Sequence, residues 1–300
     1  MNKSIVFLLL GEKAHYVLSR IVDNNRALIG GVVVGRDSKL SDDYAEKIVQ
    51  ICQKNNIPFV ERHAGGTYLN NHNGYFMLIG WRWLAHVDER KLIVLHDSLL
   101  PKYRGFAPLV SALINGESVV GATALFGAQA YDRGDIIIQE SVSISYPIKI
   151  SEAIKIISDV YLYIVEKILE RIDSNKELVG TPQNETWATY SLWRDEVDYF
   201  VDWRRDAKEI SRFIDAVGRP YEGAQSFINQ EIVVIHEAEP IKDVLICDRR
   251  SAVGKVIFIE DDFPVIVCGS GLLKITNMKT VEGMSLLPLK KFRSRFTLRA

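Results

Sequence analysis

Leu92-Ile93-Val94-Leu95 runs straight into His96-Asp97-Ser98-Leu99-Leu100-Pro101-Lys102-Tyr103-Arg104-Gly105, and Asp132-Arg133-Gly134-Asp135 follows downstream. The apolar run has the length and uniformity of a strand buried on both faces of a parallel sheet. It turns polar at once where it stops, and ligands of open α/β sheets bind outside the carboxyl ends of strands. A histidine at such an end is placed to move a proton near neutral pH, and a carboxylate brought to it can orient its ring.

On both sides of this stretch, strand-like and helix-like segments alternate, as a parallel sheet with helical crossovers requires. Ile5 to Leu10, Ala27 to Val34, Ile57 to Val60 and Tyr75 to Ile79 read as strands. Ala14 to Asn24 and Asp42 to Asn55 read as helices, the second from Ala45, Ile48, Val49 and Cys52 at helical spacing. Ala107 to Asn115 is predicted helical. Thr123 to Phe126 and Ile136 to Glu140 are expected to pair around the Asp132 loop. Ser151 opens the longest helical pattern, with Ile154, Ile157, Tyr161, Ile164, Ile168 and Ile172 on one stripe. The reading is a Rossmann-like, mostly parallel sheet with helices on both faces, spanning residues 1–180.

From 181 to 203 no period is evident, and the segment reads as a linker lying on the surface. Its aromatics, Trp187, Tyr190, Trp193, Tyr199, Phe200 and Trp203, are expected to be covered, because leaving them in water is unfavourable. Residues 204–300 hold one helical segment, Ala207 to Val217, followed by short β-like runs broken by Gly, Asp and Pro, the pattern of a small barrel.

Composition excludes several classes. A formal charge of -1 over 300 residues offers no field for nucleic acid or an anionic membrane. Cys52, Cys247 and Cys268 are widely spaced without a CxxC, and the histidines show no metal-ligand spacing, so neither a disulfide framework nor a metal site is signalled. Ile5 to Leu10 is too short to span a membrane. A reducing cytoplasm is the expected location.

The block from His96 to Pro101, with Asp132 after it, resembles the folate-dependent formyltransferase family. That family contains methionyl-tRNA formyltransferase, glycinamide ribonucleotide formyltransferase and the amino-sugar N-formyltransferases, and its motif is Asn-x-His-x-Ser-Leu-Leu-Pro followed by an aspartate. The tail resembles it too, through Asp202-Trp203, Arg219-Pro220-Tyr221-Glu222-Gly223-Ala224 and Cys268-Gly269-Ser270-Gly271. The resemblance implies a C-terminal β-barrel of the oligonucleotide/oligosaccharide-binding type and 10-formyltetrahydrofolate as co-substrate, without a metal. His96 and Asp132 are then the catalytic pair, with Val94 standing where the family has asparagine. Gly80, Trp81, Arg82, Trp83 and Leu84 fall on the pterin-binding loop, with Asp135 as a further folate contact. Ser98, Leu99, Lys102, Tyr103, Arg104 and Gly105 would meet the acceptor.

Alternatives stand beside these roles. Asp-Arg-Gly-Asp is good turn chemistry, Trp81 and Trp83 read equally as interior aromatics, and Lys102 to Arg104 reads either as an anion-binding or a solvated basic loop. Val94 has no side-chain donor, and losing one oxyanion donor removes about 3 kcal/mol of transition-state stabilisation; Asn71, Asn73 and Gln129 are candidate substitutes. The expected acceptor is a small-molecule amine, an amino sugar carried on a nucleotide. Arg36 to Lys47 has three basic and four acidic residues, and residues 204–300 hold 16 Lys and Arg against 13 Asp and Glu, which argues against tRNA. Methionyl-tRNA formylation, folate binding without turnover and hydrolysis of formyl-folate are the competing readings, and a homodimer is left open.

Overall fold

A seven-stranded sheet carries the first part of the chain. The computed structural model describes residues 4–38, 40 and 42–298. In chain order its elements are β1 (Ile5–Leu9), α1 (Gly11–Asn25), β2 (Ile29–Val34), α2 (Ala45–Lys54), β3 (Phe59–Glu61), α3 (Gly65–Asn70), β4 (Tyr75–Ile79) and β5 (Leu92–His96). There follow β6 (Arg104–Gly105), α4 (Pro108–Asn115), β7 (Val119–Phe126), β8 (Ile136–Ser143), α5 (Ile150–Asp173) and β9 (Tyr190–Ser191). The sheet order is β3-β2-β1-β4-β5-β7-β8. β1 to β5 are parallel, whereas β7 and β8 pair antiparallel.

Two compact units divide the chain. One is formed by Met1–Leu109, Val119–Ile144 and Ala153–Leu192, the other by Val110–Ser118, Ser145–Glu152 and Trp193–Ala300. In the first unit, alternation along each strand separates two buried layers. Val6, Leu8, Val33, Phe76, Leu78 and Leu92 form one, with Val60, Leu69, Trp81, Ala85, Val87 and Val94 packed on it. Ile5, Phe7, Leu9, Met77, Ile79, Ile93 and Leu95 have the opposite parity and are also buried. The α5 stripe from Ile154 to Ile172 is buried throughout, as its spacing predicts. Strand order reverses between β1 and β4, so the crevice at their carboxyl ends is the place where this fold receives ligands.

The second unit continues with α6 (Ala207–Ala216), β10 (Ala224–Ile228), β11 (Glu231–Ile241), α7 (Arg249–Ala252), β12 (Val256–Glu260), β13 (Phe263–Val267), β14 (Leu272–Thr280) and β15 (Phe296–Thr297). Its sheet runs β12-β13-β14-β11-β10-β15. The two edges meet where Val256 N–H donates to Ser294 O at 3.1 Å and Phe296 N–H to Gly254 O at 2.7 Å, which rounds the sheet into a barrel. α6 starts where the Asp206 carboxylate accepts from Lys208 N–H, a cap for an otherwise unpaired donor. Among the described residues no helix is long and apolar enough to cross a membrane.

The expectation of covered aromatics between 181 and 203 is corrected. Trp203 is buried and donates from Nε1 to Ser226 Oγ at 3.0 Å, but Trp187, Tyr190 and Trp193 are each more than half exposed. The segment is held by backbone and polar contacts instead: β9 pairs with β6, and the Tyr190 hydroxyl accepts from Arg133.

In the second unit Asp215, at the end of α6, has its carboxyl pushed up from 3.8 to about 6, first by burial, then by Glu152 and Glu237, with Lys149 opposing. A raised folded-state value means that the group favours the fold fully below about 3.8 and that this contribution is lost as pH rises through about 6. Asp215→Asn is therefore expected to stabilise the protein by about 1–2 kcal/mol at pH 7.5, after discounting for partial exposure. The gain should shrink between pH 6 and 4. Urea unfolding at several pH values checks this, and a gain independent of pH refutes it.

Candidate functional site

The sheet alternation decides where His96 goes. Leu92, Val94 and His96 share one face, and His96 closes β5 with its ring only 7% exposed. Nε2 lies 2.8 Å from the Tyr103 carbonyl oxygen, which requires the proton on that nitrogen. Nδ1 lies 3.4 Å from Asp132 Oδ1. The sequence reading gave the orientation of the ring to Asp132. The structure gives it to the Tyr103 carbonyl and leaves Asp132 as the charge facing the other nitrogen.

Asp132 is fixed at both ends. Its Oδ2 accepts from Gly105 N–H at 2.7 Å, and its carbonyl accepts from Gln183 Nε2 at 2.7 Å. Its φ of +56° is a left-handed conformation that aspartate tolerates better than most residues. Turn geometry and the carboxylate's placement thus act together. Gly105, at φ +100°, passes so close to the Ser191 carbonyl that a Cβ would stand 2.5 Å from its oxygen.

The loop between β5 and β6 is anchored rather than free. Ser98 is buried, its hydroxyl donating to Lys102 O at 2.6 Å while its carbonyl accepts from Thr123 Oγ1 at 2.6 Å. Gln139 Nε2 donates to Leu100 O and to Thr123 Oγ1. Leu99 is half-buried, its side chain beside Gly121. Lys102 is exposed and without a side-chain partner among the described residues.

Arg104, expected to meet the acceptor, is placed inside the fold. It is fully buried, with both terminal nitrogens 2.8 Å from the Glu185 carboxylate and Nε and Nη2 donating to Gln183 Oε1 at 3.1 and 2.8 Å. With Nη1 also 3.4 Å from the Tyr190 hydroxyl oxygen, all five donors of the fork are engaged and none is left for a substrate phosphate. Because Gln183 also donates to the carbonyls of Asp132 and Gly134, Arg104 ties the His96 loop to the Asp132 loop.

The sequence reading did not single out Lys13, Asp97 and Tyr161. Asp97, one residue past His96, takes the opposite face and meets Lys13 of α1 as an ion pair and the Tyr161 hydroxyl of α5. Burial pushes the Asp97 carboxyl up, but the Lys13 ammonium and the two hydrogen bonds outweigh it and hold the group below the usual range. Burial and Asp97 drive the Tyr161 hydroxyl well above its own. The network pins the strand end that carries His96 to both helices.

At the β1/β4 crevice, Gly80 adopts φ +65° with its Cα against the Leu10 carbonyl, where a Cβ would stand 2.2 Å away. Trp81 and Trp83 meet edge to face at 5.0 Å, and both close on Gly35. Trp83 is capped by the Arg62 guanidinium at 4.4 Å, and Arg82 pairs with Asp37. The two rings are thus packed on each other and half-buried, yet Trp81 Nε1 is buried without a hydrogen-bond acceptor among the described residues. Such a donor is expensive to leave unpaired. Leu84 is 65% exposed. Asp135 is exposed, and its side chain makes no hydrogen bond or ion pair among the described residues.

Val94 packs on the apolar layer, as its strand predicts. Asn71 and Asn73 precede β4 at the amino edge, opposite the end that bears His96, and cannot replace the missing amide; Gln129 is exposed on the Asp132 loop. Val94→Asn is expected to lower stability by about 1–2 kcal/mol, because it buries an unpaired amide, and to raise turnover little. Melting curves and initial rates of formyl transfer check this; a hundredfold rate gain without loss of stability refutes it.

Two family descriptions match the chain: Formyl transferase over residues 69–155 and Formyl transferase, C-terminal domain, over residues 195–293. A methionyl-tRNA formyltransferase of Syntrophomonas wolfei is 29% identical over 206 residues, 69% of this chain and 64% of the relative. The chain thus aligns with less than two thirds of the length of that curated relative. Among solved structures, WlaRD, a sugar 3N-formyl transferase studied with dTDP and 5-N-formyl-THF, superimposes at a TM-score of 0.71 with 18% identity, covering 97% of this chain and 99% of that one. The N-formyltransferase of Helicobacter canadensis in complex with folinic acid and dTDP-3-aminofucose gives 0.69 with 18% identity, covering 92% and 99%. A mostly parallel sheet with a histidine–aspartate pair at a strand end, followed in the chain by a small antiparallel barrel, is the two-domain architecture of this chain. The chain belongs to the folate-dependent formyltransferase family.

Proposed function

We propose that the chain transfers a formyl group from 10-formyltetrahydrofolate to the amine of an amino sugar carried on a nucleotide. The observation that carries the reading is the His96–Asp132 pair at the carboxyl end of β5, held by the Tyr103 carbonyl and the Gly105 N–H. With Nε2 committed to Tyr103, Nδ1 is the nitrogen that takes the proton released by the attacking amine. Asp132 Oδ1 faces the positive ring that results, until the ring returns the proton to the folate nitrogen released as its bond to the formyl carbon breaks. The folate supplies the activated formyl group. Trp81 Nε1, buried and lacking an acceptor, fits the polar edge of a flat heteroaromatic ring lodged at the crevice.

Methionyl-tRNA formylation is the second reading, favoured by the name that the S. wolfei relative carries. Against it, the described basic side chains after β2 are already paired: Arg36 with Glu61 and Glu46, and Lys47 with Asp42; Lys39 lies outside the described residues. Phosphate contacts need clustered, available cations. Incubation with 10-formyltetrahydrofolate and either dTDP-3-aminofucose or methionyl-tRNA separates the two. A formamide on the sugar, seen by mass spectrometry, with no formyl-methionine supports the proposal; the reverse pattern overturns it.

A further inference from the structure

Within the second unit a cavity of about 280 Å³ opens between the start of α5, the end of α6 and the β11–β14 pair. Ile150 and Ile214, each 1% exposed, form its apolar floor. His236 and Glu237 both line it, although neighbours on a regular strand point to opposite faces. A bulge explains this: Ile235 opposes Met278 and Glu237 opposes Asn277, so His236 is the extra residue. Bulges re-aim side chains in this way beside functional sites.

Several lining groups have no partner. Arg219 and Lys279 make no ion pair or hydrogen bond among the described residues, and neither the Asp215 carboxylate nor the Asn277 amide is hydrogen-bonded. Of the lining cations, Lys149 is the one spent among the described residues, on Glu237. The two free cations act on His236, where burial first and then Lys279 and Arg219 disfavour the charged ring. An anion would reverse that repulsion. One guanidinium fork suffices for a carboxylate, whereas two separate cations beside an imidazole N–H suit the oxygens of a phosphate. No Phe, Tyr or Trp lines the cavity, so a nucleobase finds no ring to stack on. The volume lies just under the roughly 300–1,000 Å³ of drug-sized sites.

We propose that this cavity binds a small phosphorylated polyol, a sugar monophosphate, with Arg219 and Lys279 holding the phosphate and Asp215 and Asn277 taking hydroxyls. The site lies in the barrel unit and stands apart from the reading of His96 and Asp132. Calorimetry on the full chain with hexose and pentose monophosphates, inorganic phosphate and the parent sugars tests it. A sugar monophosphate should bind, inorganic phosphate more weakly, and the parent sugar not at all. Lys279→Gln and Arg219→Gln should each weaken the sugar phosphate about tenfold, the scale of one charge-assisted hydrogen bond. Asp215→Asn, expected to fold at least as well as the parent, should weaken the sugar phosphate and leave inorganic phosphate unchanged. Formyl transfer by Lys279→Gln should be unaltered. No heat with any monophosphate, or affinity untouched by both cation replacements, overturns the proposal. It is also overturned if tRNA binds through Lys279 and Arg219 while no sugar phosphate does, because the phosphate is then that of a nucleic-acid backbone.

Discussion

His96→Ala is expected to lower kcat/KM for formyl transfer by at least about a hundredfold, the usual contribution of a positioned general base. The ring ends β5, and its loss removes one hydrogen bond from the Tyr103 carbonyl, which keeps the Ser191 hydroxyl at 3.4 Å, so stability should fall by only about 1–2 kcal/mol. Asp132→Asn should bring a comparable fall in rate. The amide can still accept from Gly105 N–H through its oxygen, so the loop survives, but it carries no charge to face a protonated Nδ1. Initial rates and urea unfolding on the same preparations separate chemistry from folding. Retention of more than about a tenth of parental kcat/KM by either variant would remove the base and charge-partner roles, whose contribution is larger.

What the sequence made legible follows from local physics. β4 and β5 are uniform apolar runs with polar ends, and the α5 stripe repeats every turn, so their bounds come within a residue or two. The His96 and Asp132 blocks were legible because each is a short stretch of particular side chains, and the fold brings the two within 3.4 Å. Arg104 was not. In Lys102-Tyr103-Arg104 it reads as one more exposed cation, and what buries it comes from Gln183 and Glu185, 79 and 81 residues away in a segment without any period. Lys13, Asp97 and Tyr161 come from three elements, yet one part of that network had a signal. Carrying the β5 alternation one residue beyond His96 places Asp97 opposite the histidine, on the face that helices cover. The exposed Trp187 and Trp193 show the limit of reasoning from transfer free energy alone, since backbone pairing and polar contacts fixed that segment first.

Arg104→Ala is expected to have the largest effect on stability, a loss of about 2–4 kcal/mol, because it strips a buried guanidinium from partners arranged around it. Gln183 Oε1 and the inner oxygen of Glu185 lose their donors, and the space of a fully buried side chain is left behind. Lysine should recover little, since a single ammonium cannot serve Gln183 and Glu185 in the planar fork geometry. Activity should fall with stability but in kcat rather than KM. Gln183 also holds the Asp132 and Gly134 carbonyls, so loosening it lets the Asp132 carboxylate drift from His96. Misplacement of that kind affects the reacting geometry more than substrate affinity. Had Arg104 been a handle for the acceptor's phosphate, its removal would raise KM, leave kcat and the unfolding midpoint near parental values, and be mimicked by lowering the charge of the acceptor. Urea unfolding together with separate kcat and KM values therefore distinguishes a beam between two loops from a binding contact. An unchanged midpoint with a raised KM would return Arg104 to the substrate.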